Sequence, residues 1–202
     1  FRSYSDIIER IEKLCQTYTD TLHDMTLYRI ALQDQGLWVR PSLIEAYEKA
    51  LKTGKAKNIE AAKANITAYC QNNIHHVNKA IDCGKVKLLT PYFMKYHKIQ
   101  LLPAYLNGKQ KLDATIDNIY QNTVFADSTK LAEALAKNDA TVLKNDPLYL
   151  QVSDLVAYAE TMGKSLQTYT TQRKALDKIY VRGLCEMYDW SKAPDANFTL
   201  RM

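Results

Sequence analysis

Nowhere in this 202-residue chain do glycines gather; there are six, all apart. That removes the glycine-rich bend that presents a serine nucleophile, the phosphate loop and the dinucleotide fingerprint. Ser3, Ser5, Ser42, Ser128, Ser153, Ser165 and Ser191 accordingly read as helix caps or surface positions. No apolar run reaches the roughly 18 residues that a membrane-spanning helix needs, and no basic, apolar, small-residue pattern opens the chain as a signal peptide would. The four cysteines, Cys15, Cys70, Cys83 and Cys185, form no C-x-x-C pair and no metal-like spacing. They read as thiols on helical faces; Cys70 and Cys83 could close a small loop, a pairing that spacing alone does not establish. Among the histidines, His23, His75, His76 and His97, none is spaced to share a metal, and adjacent His75 and His76 point about 100° apart on a helix. His23 and Asp24 are neighbours in sequence and do not face each other.

Net charge is modest. The net charge is +5, and the lysines scatter along helical faces without the stripe that a nucleic-acid backbone requires. Glu9 with Glu12 and Asp113 with Asp117 share helical faces, but lysines stand nearby and each pair reads as solvated surface. With 47% hydrophobic and 24% charged residues the composition is that of a folded domain and excludes disorder. The expectation is no catalytic, substrate-binding or metal-ligating residue, no cofactor, no nucleic-acid partner and no membrane span.

What is present is helical periodicity. Leu148, Val152, Leu155, Met162, Leu166, Tyr169, Leu176, Ile179, Tyr180, Leu184 and Met187 keep to one face of a helix of about 3.6 residues per turn. Launched by Asp146-Pro147 and running to about Trp190, that helix would span about 60 Å. A second long helix starts after a Ser5 cap, with Ile7, Ile11, Leu14, Tyr18, Leu22, Met25 and Leu32 inward, until Gly36. Leu37-Trp38-Val39 marks a turn with Trp38 toward the core, and Pro41 restarts a helix through Ile44, Tyr47 and Leu51 that Gly54 stops. From an Asn58 cap, Ile59 to Ile81 predicts a third helix ended by Asp82-Cys83-Gly84.

Pro91 and Pro103 are expected to cut the apolar and aromatic stretch from Leu88 to Tyr105 into short helices. After Asn107-Gly108 come a helix from Leu112 to about Thr123, a capped one from about Thr129 to Ala136, and a short turn capped by Asp139. Gly163 and Gly183 inside the spine suggest a close contact or a bend. No period of about 20 to 50 residues recurs, which disfavours a solenoid. Fourteen tyrosines, many at apolar-face positions such as Tyr18, Tyr69, Tyr120, Tyr169 and Tyr180, read as core with a wetted hydroxyl. The fold class expected is all-α: a bundle of two long helices with several shorter helices across one end. The breaker cluster 191–197 and the alternating Phe198 to Met202 look like the start of a β-strand, and with Phe1 as first residue the chain reads as a piece of a longer protein.

Two stretches carry a family resemblance. Tyr120-Gln121-Asn122-Thr123-Val124-Phe125, continuing to Lys144-Asn145-Asp146-Pro147, resembles the "Y-x-x-S-x-F" helix end and subsequent "DP" helix start of bacterial serine dipeptidyl aminopeptidases of the dipeptidyl-peptidase 7 and 11 type. Ala193-Pro194-Asp195-Ala196-Asn197-Phe198-Thr199-Leu200-Arg201 is similar to that family's "YPDANFTLR". Ala193 departs from the aromatic of the motif, and Thr123 replaces a serine conservatively. In such proteins a chymotrypsin-like double β-barrel holds a Ser-His-Asp triad, and an inserted helical domain covers the cleft and limits cleavage to two residues from a free amino end.

The resemblance implies that 1–190 is the helical cap domain and 191–202 the junction to an adjoining β-barrel domain, and that peptide substrate and that barrel are the partners. It places the protein in the periplasm or at the cell surface, and it carries over no catalytic residue, because the triad has no matching position; Asn197 takes a structural role. The alternative is a non-enzymatic helical binding or scaffolding module using the tyrosine-rich Leu88 to Tyr105 region as its contact surface. The polypeptide beyond Met202 separates the two: a barrel with a nucleophile supports the peptidase, and more helix or a stop supports the module.

Overall fold

A computed structural model describes residues 4–107 and 111–188. Among these residues there are eight α-helices, one π-helical and one 3-10 segment, and no strand. The expected strand at Phe198, the cluster 191–197, Asn197 and the Trp190 helix end lie outside the described residues. By contact the chain divides into two units, Asp24–Thr161 and a second made of Phe1–His23 with Met162–Met202.

Both expected long helices form. α1 (Ile7–Tyr28) opens with Arg10 N–H donating to the Asp6 carbonyl, one residue beyond the expected Ser5 cap. It passes into a π-helical segment, Arg29–Gln33, whose Ala31 and Leu32 are buried. α8 (Pro147–Met187) has 41 residues, about 60 Å at 1.5 Å per residue. Its start is the one its sequence dictates: the Asp146 carboxylate accepts from Leu148 N–H at 2.9 Å, while Pro147 has no N–H to leave unpaired.

In the Asp24–Thr161 unit, α2 (Pro41–Thr53) and α3 (Ala56–Asn73) pack as a hairpin. Gly54 joins them at φ +66°, a left-handed cap that a Cβ would strain, and donates to the Leu51 carbonyl. Next come α4 (Lys79–Tyr96), α5 (Leu112–Asn122), α6 (Ser128–Ala136) and α7 (Ala140–Lys144). Their inner faces and the first turns of α8 enclose one apolar core including Leu37, Ile44, Tyr47, Ile66, Ile116, Phe125, Leu143 and Leu148. Trp38 is half-buried against it. Asp139 caps α7 as expected, accepting from Thr141, and the cap of α6 is Asp127, which accepts from Thr129 and Lys130.

Three sequence expectations fail here: α3 begins at Ala56 behind Lys55, so the expected Asn58 cap is a residue inside the helix. The third helix ends at Asn73, and the stop expected at Asp82-Cys83-Gly84 lies inside α4. Asn78 is the reason: its side chain accepts from Ile81 N–H at 3.2 Å and starts a new helix. Nor does Pro91 break α4, which continues to Tyr96. The proline removes one helix hydrogen bond, but Val86, Thr90 and Phe93 on both sides of it are buried, and keeping that face packed outweighs the loss. Pro103, by contrast, does precede a short 3-10 turn, Ala104–Leu106.

Three buried aspartates tie this unit together. Asp24 accepts from Lys98 and Ile99 N–H at 2.8 to 3.0 Å. Asp82 accepts from Gly36 N–H at 2.7 Å, Leu37 N–H at 2.9 Å and the Tyr120 hydroxyl at 2.6 Å. A Cβ on Gly36 would stand 2.7 Å from Val77 Cγ1, so only glycine lets this loop approach so closely. Asp146 adds Val124 N–H at 2.7 Å and the Thr123 hydroxyl at 3.0 Å to its helix cap. Through that bond Thr123 holds the carboxylate that begins α8.

The other unit is thinner. Ile7, Leu14 and Leu176 are its buried cluster, with Tyr4, Ile11, Tyr18 and Tyr169 packed on them. Tyr18 and Tyr169 meet at 5.3 Å between ring centres. Of the two spine glycines, Gly183 does make a close contact: a Cβ there would lie 3.0 Å from the Tyr4 ring, whereas Gly163 faces open space. Ile179, Tyr180 and Met187, read as inward from their spacing, are exposed, because the short α1 segment opposite them offers little to bury them against.

Candidate interaction surface

α4 is apolar on two sides. Asp82, Val86, Thr90 and Phe93 face inward, toward α5 and the π-helical segment. On the outer side Ile81, Leu88, Tyr92 and Tyr96 are 70%, 74%, 53% and 43% exposed. At about 100° per residue these four fall within roughly 80° of arc, so they form one stripe. Ile81, expected on the apolar face of the third helix, is instead the start of this exposed line.

The stripe is held rigidly. Asp82 anchors the first turn from within, and at the far end the His97 Nδ1–H donates to the Met94 carbonyl at 2.7 Å while its ring stacks on Phe93. The Tyr92 and Tyr96 rings pack at 4.4 Å, and Lys95 sits 5.1 Å over the Tyr96 ring. Lys95 borders the line by helical phase, and Lys85 falls within it, between Tyr92 and Tyr96. Lys85 reaches Asp34 at 3.8 Å and Asp82 at 3.6 Å. Asp82, the one acid on α4, is buried beneath, so the exposed side of the helix carries apolar residues interrupted by lysine.

Elsewhere the ionisable groups are structural in setting. Burial pushes the Cys70 thiol up to about 12, and Cys83, beside Asp117, is raised as well, chiefly by burial. All four cysteines are free, Cys70 and Cys83 included. Tyr28 and Tyr105 are pushed up to about 12 by burial. Asp146 is raised by burial even though four hydrogen bonds pull the other way. Among the described residues no cluster of three or more His, Cys, Asp or Glu is placed to hold a metal ion. Of the expected contact region, Leu88, Tyr92, Met94, Tyr96 and Leu101 face out, while Phe93 is core. The anchoring roles of Asp24 and Asp82 escaped the sequence reading. Both were visible in principle: Asp24 shares a helical phase with Tyr28 and Leu32, and Asp82 with Val86, Thr90 and Phe93.

The described residues thus form an all-helical arrangement with buried aspartate anchors and exposed apolar residues on one helix. Comparison with known proteins supplies the class: the chain belongs to the Peptidase S46 family, whose sequence profile matches residues 1–202. It is similar to a dipeptidyl-peptidase 7 from Phocaeicola vulgatus, 28% identical over 210 residues. The match covers 98% of this chain and 29% of that relative, so the chain spans under a third of the relative's length. No helix among the described residues is long and apolar enough to cross a membrane.

Proposed function

We propose that this chain is the helical domain of a serine-type dipeptidyl aminopeptidase, a non-catalytic cap on an enzyme that releases dipeptides from free amino ends. The observation that carries the reading is the span of the match: nearly all of this chain aligns within 29% of a dipeptidyl peptidase, leaving most of that enzyme for the reacting groups. In this reading acyl transfer takes place on a serine outside these 202 residues, in a β-barrel domain of the parent at the periplasm or cell surface. The helical domain narrows the cleft and excludes longer amino-terminal extensions. The aspartate-anchored Asp24–Thr161 unit suits that task, since a steric stop must not yield when peptide presses on it.

The test is dipeptide release from fluorogenic amino-terminal substrates by the intact parent, with and without a serine-directed fluorophosphonate. Release that the inhibitor abolishes, with none from the 202-residue chain alone, is expected. A folded parent that stays silent on acidic, basic and apolar dipeptides alike would sink the peptidase reading.

A further inference from the structure

We infer that one ordered water molecule is bound inside the Asp24–Thr161 unit, bridging the Thr90 hydroxyl, the Tyr105 hydroxyl and the Gln151 side-chain carbonyl. The three residues stand on different elements: Thr90 on α4, Tyr105 on the 3-10 turn and Gln151 on α8. Thr90 and Gln151 are 0% and 2% exposed, and the Tyr105 hydroxyl oxygen is buried with them. None of the three oxygens has a hydrogen-bond partner in the protein. Yet they are neighbours. The Gln151 amide and the Thr90 hydroxyl both act on the Tyr105 hydroxyl, opposing the rise that burial imposes on its pKa, though neither closes a direct bond to it. Buried polar groups that are close together and not directly bonded are what a bridging water joins.

Thr90 departs from the habit of the other helical threonines. Thr17, Thr19, Thr161, Thr170 and Thr171 each donate to the carbonyl four residues earlier. Thr90 also lies inside a helix but makes no such bond, so its hydroxyl is left for the interior. The Tyr105 backbone is fixed independently, its N–H donating to the Asp154 carboxylate, about one turn along α8 from Gln151. The donor count fits a single water. Each hydroxyl has one hydrogen to give, and the Gln151 oxygen can only accept. A water that accepts from both hydroxyls and donates to Gln151 satisfies all three with three bonds, the usual number for an internal water. Without it, three desolvated oxygens stand unpaired, a cost that native interiors rarely carry. The water then ties α4, the 3-10 turn and α8 through one point.

The experiment is a crystal structure of the full-length protein at a resolution that shows ordered water, with Thr90→Val and Thr90→Ser beside it. One density peak is expected about 2.7–3.2 Å from Thr90 Oγ1, Tyr105 Oη and the Gln151 side-chain oxygen. Thr90→Val nearly keeps the shape of the side chain without its hydroxyl, and is expected to lose the peak; Thr90→Ser keeps the hydroxyl and should retain it. Direct hydrogen bonds from Tyr105 to Gln151 or Thr90, with no density between the three side chains, overturn the inference. So does a peak that persists in Thr90→Val, or one that contacts fewer than all three residues. If Thr90→Val fails to fold, the presence or absence of the three-way peak in the parent decides alone. The density is read whether or not the protein releases dipeptides, so this inference stands or falls apart from the proposed function.

Discussion

The Asp24–Thr161 unit and the unit of Phe1–His23 with Met162–Met202 are both helical and amphipathic, yet they are held together differently. The first has a broad apolar core and three buried aspartates, each accepting backbone N–H groups from a segment distant in sequence. The second has a buried cluster of Ile7, Leu14 and Leu176, and its described polar links are exposed or part-buried. The Tyr4 hydroxyl donates to Glu186 at 2.8 Å, Arg182 pairs with Glu186 at 2.9 Å, and Arg173 pairs with Asp177 at 2.7 Å. A carboxylate out of water is worth far more to its partners than one in water, because a lost acceptor inside has no solvent to replace it. Rigidity therefore goes with burial, and the aspartate-pinned unit is the more firmly held of the two.

The contrast is broken most directly by removing one carboxylate from each unit. Asp82→Ala leaves the N–H groups of Gly36 and Leu37 and the Tyr120 hydroxyl without their acceptor, and is expected to lower unfolding free energy by about 3 kcal/mol. Asp177→Ala, at a half-exposed pair, should change it by less than about 0.5 kcal/mol. Urea midpoints decide between them, and equal losses would mean that burial does not separate the two units.

A smaller effect sharpens the description of the thin unit. Gly163→Ala meets nothing within 4 Å and should gain about 0.5–1 kcal/mol from helix propensity. Gly183→Ala gains the same propensity but presses on the Tyr4 ring at 3.0 Å, so its net change should lie between zero and a loss of about 1 kcal/mol. If both variants gain equally in melting temperature, Tyr4 does not pack on α8 as described.

The smallest effect concerns acid. Hydrogen bonds from Lys144 and then Lys52 hold the Glu48 carboxyl at about 2, well below its ordinary 4.5. A depressed carboxylate stabilises the fold above its unfolded pKa, and that contribution fades as pH falls from about 4.5 to about 2. Asp146 works with the opposite sign. Its raised value favours the folded state when it is protonated, below its unfolded pKa near 3.8, and that advantage is lost as pH rises through the folded value. Glu48→Gln should flatten the stability profile between about pH 4.5 and 2 relative to the parent; an unchanged slope there would mean the lysines do not hold the carboxylate.

Much of the helical layout was legible because its signals are local. Pro41, Gly54, Asp139 and Asp146-Pro147 each start or stop a helix through a backbone preference or a cap within a few residues, and each does so in the fold. The two long helices were readable for the same reason, since apolar period is written in the chain. α4 was misread because Asp82-Cys83-Gly84 and Pro91 look like breakers locally. Packing overrides them: an aspartate recruited by a loop 46 residues earlier, and an inner face of Val86, Thr90 and Phe93 too well buried to give up.

By itself, then, the sequence determined that this chain is helical, where most helices begin, and which family it belongs to, since those depend on residue type and spacing. Only the tertiary structure decided which aspartates become internal anchors, which face of α4 is left uncovered, and that Gly183 rather than Gly163 is the close contact. The periodicity of α4 shows apolar residues on both sides, and nothing along one helix says which side meets a neighbour. That choice is made by the other helices, whose arrival in space is set by the whole core at once.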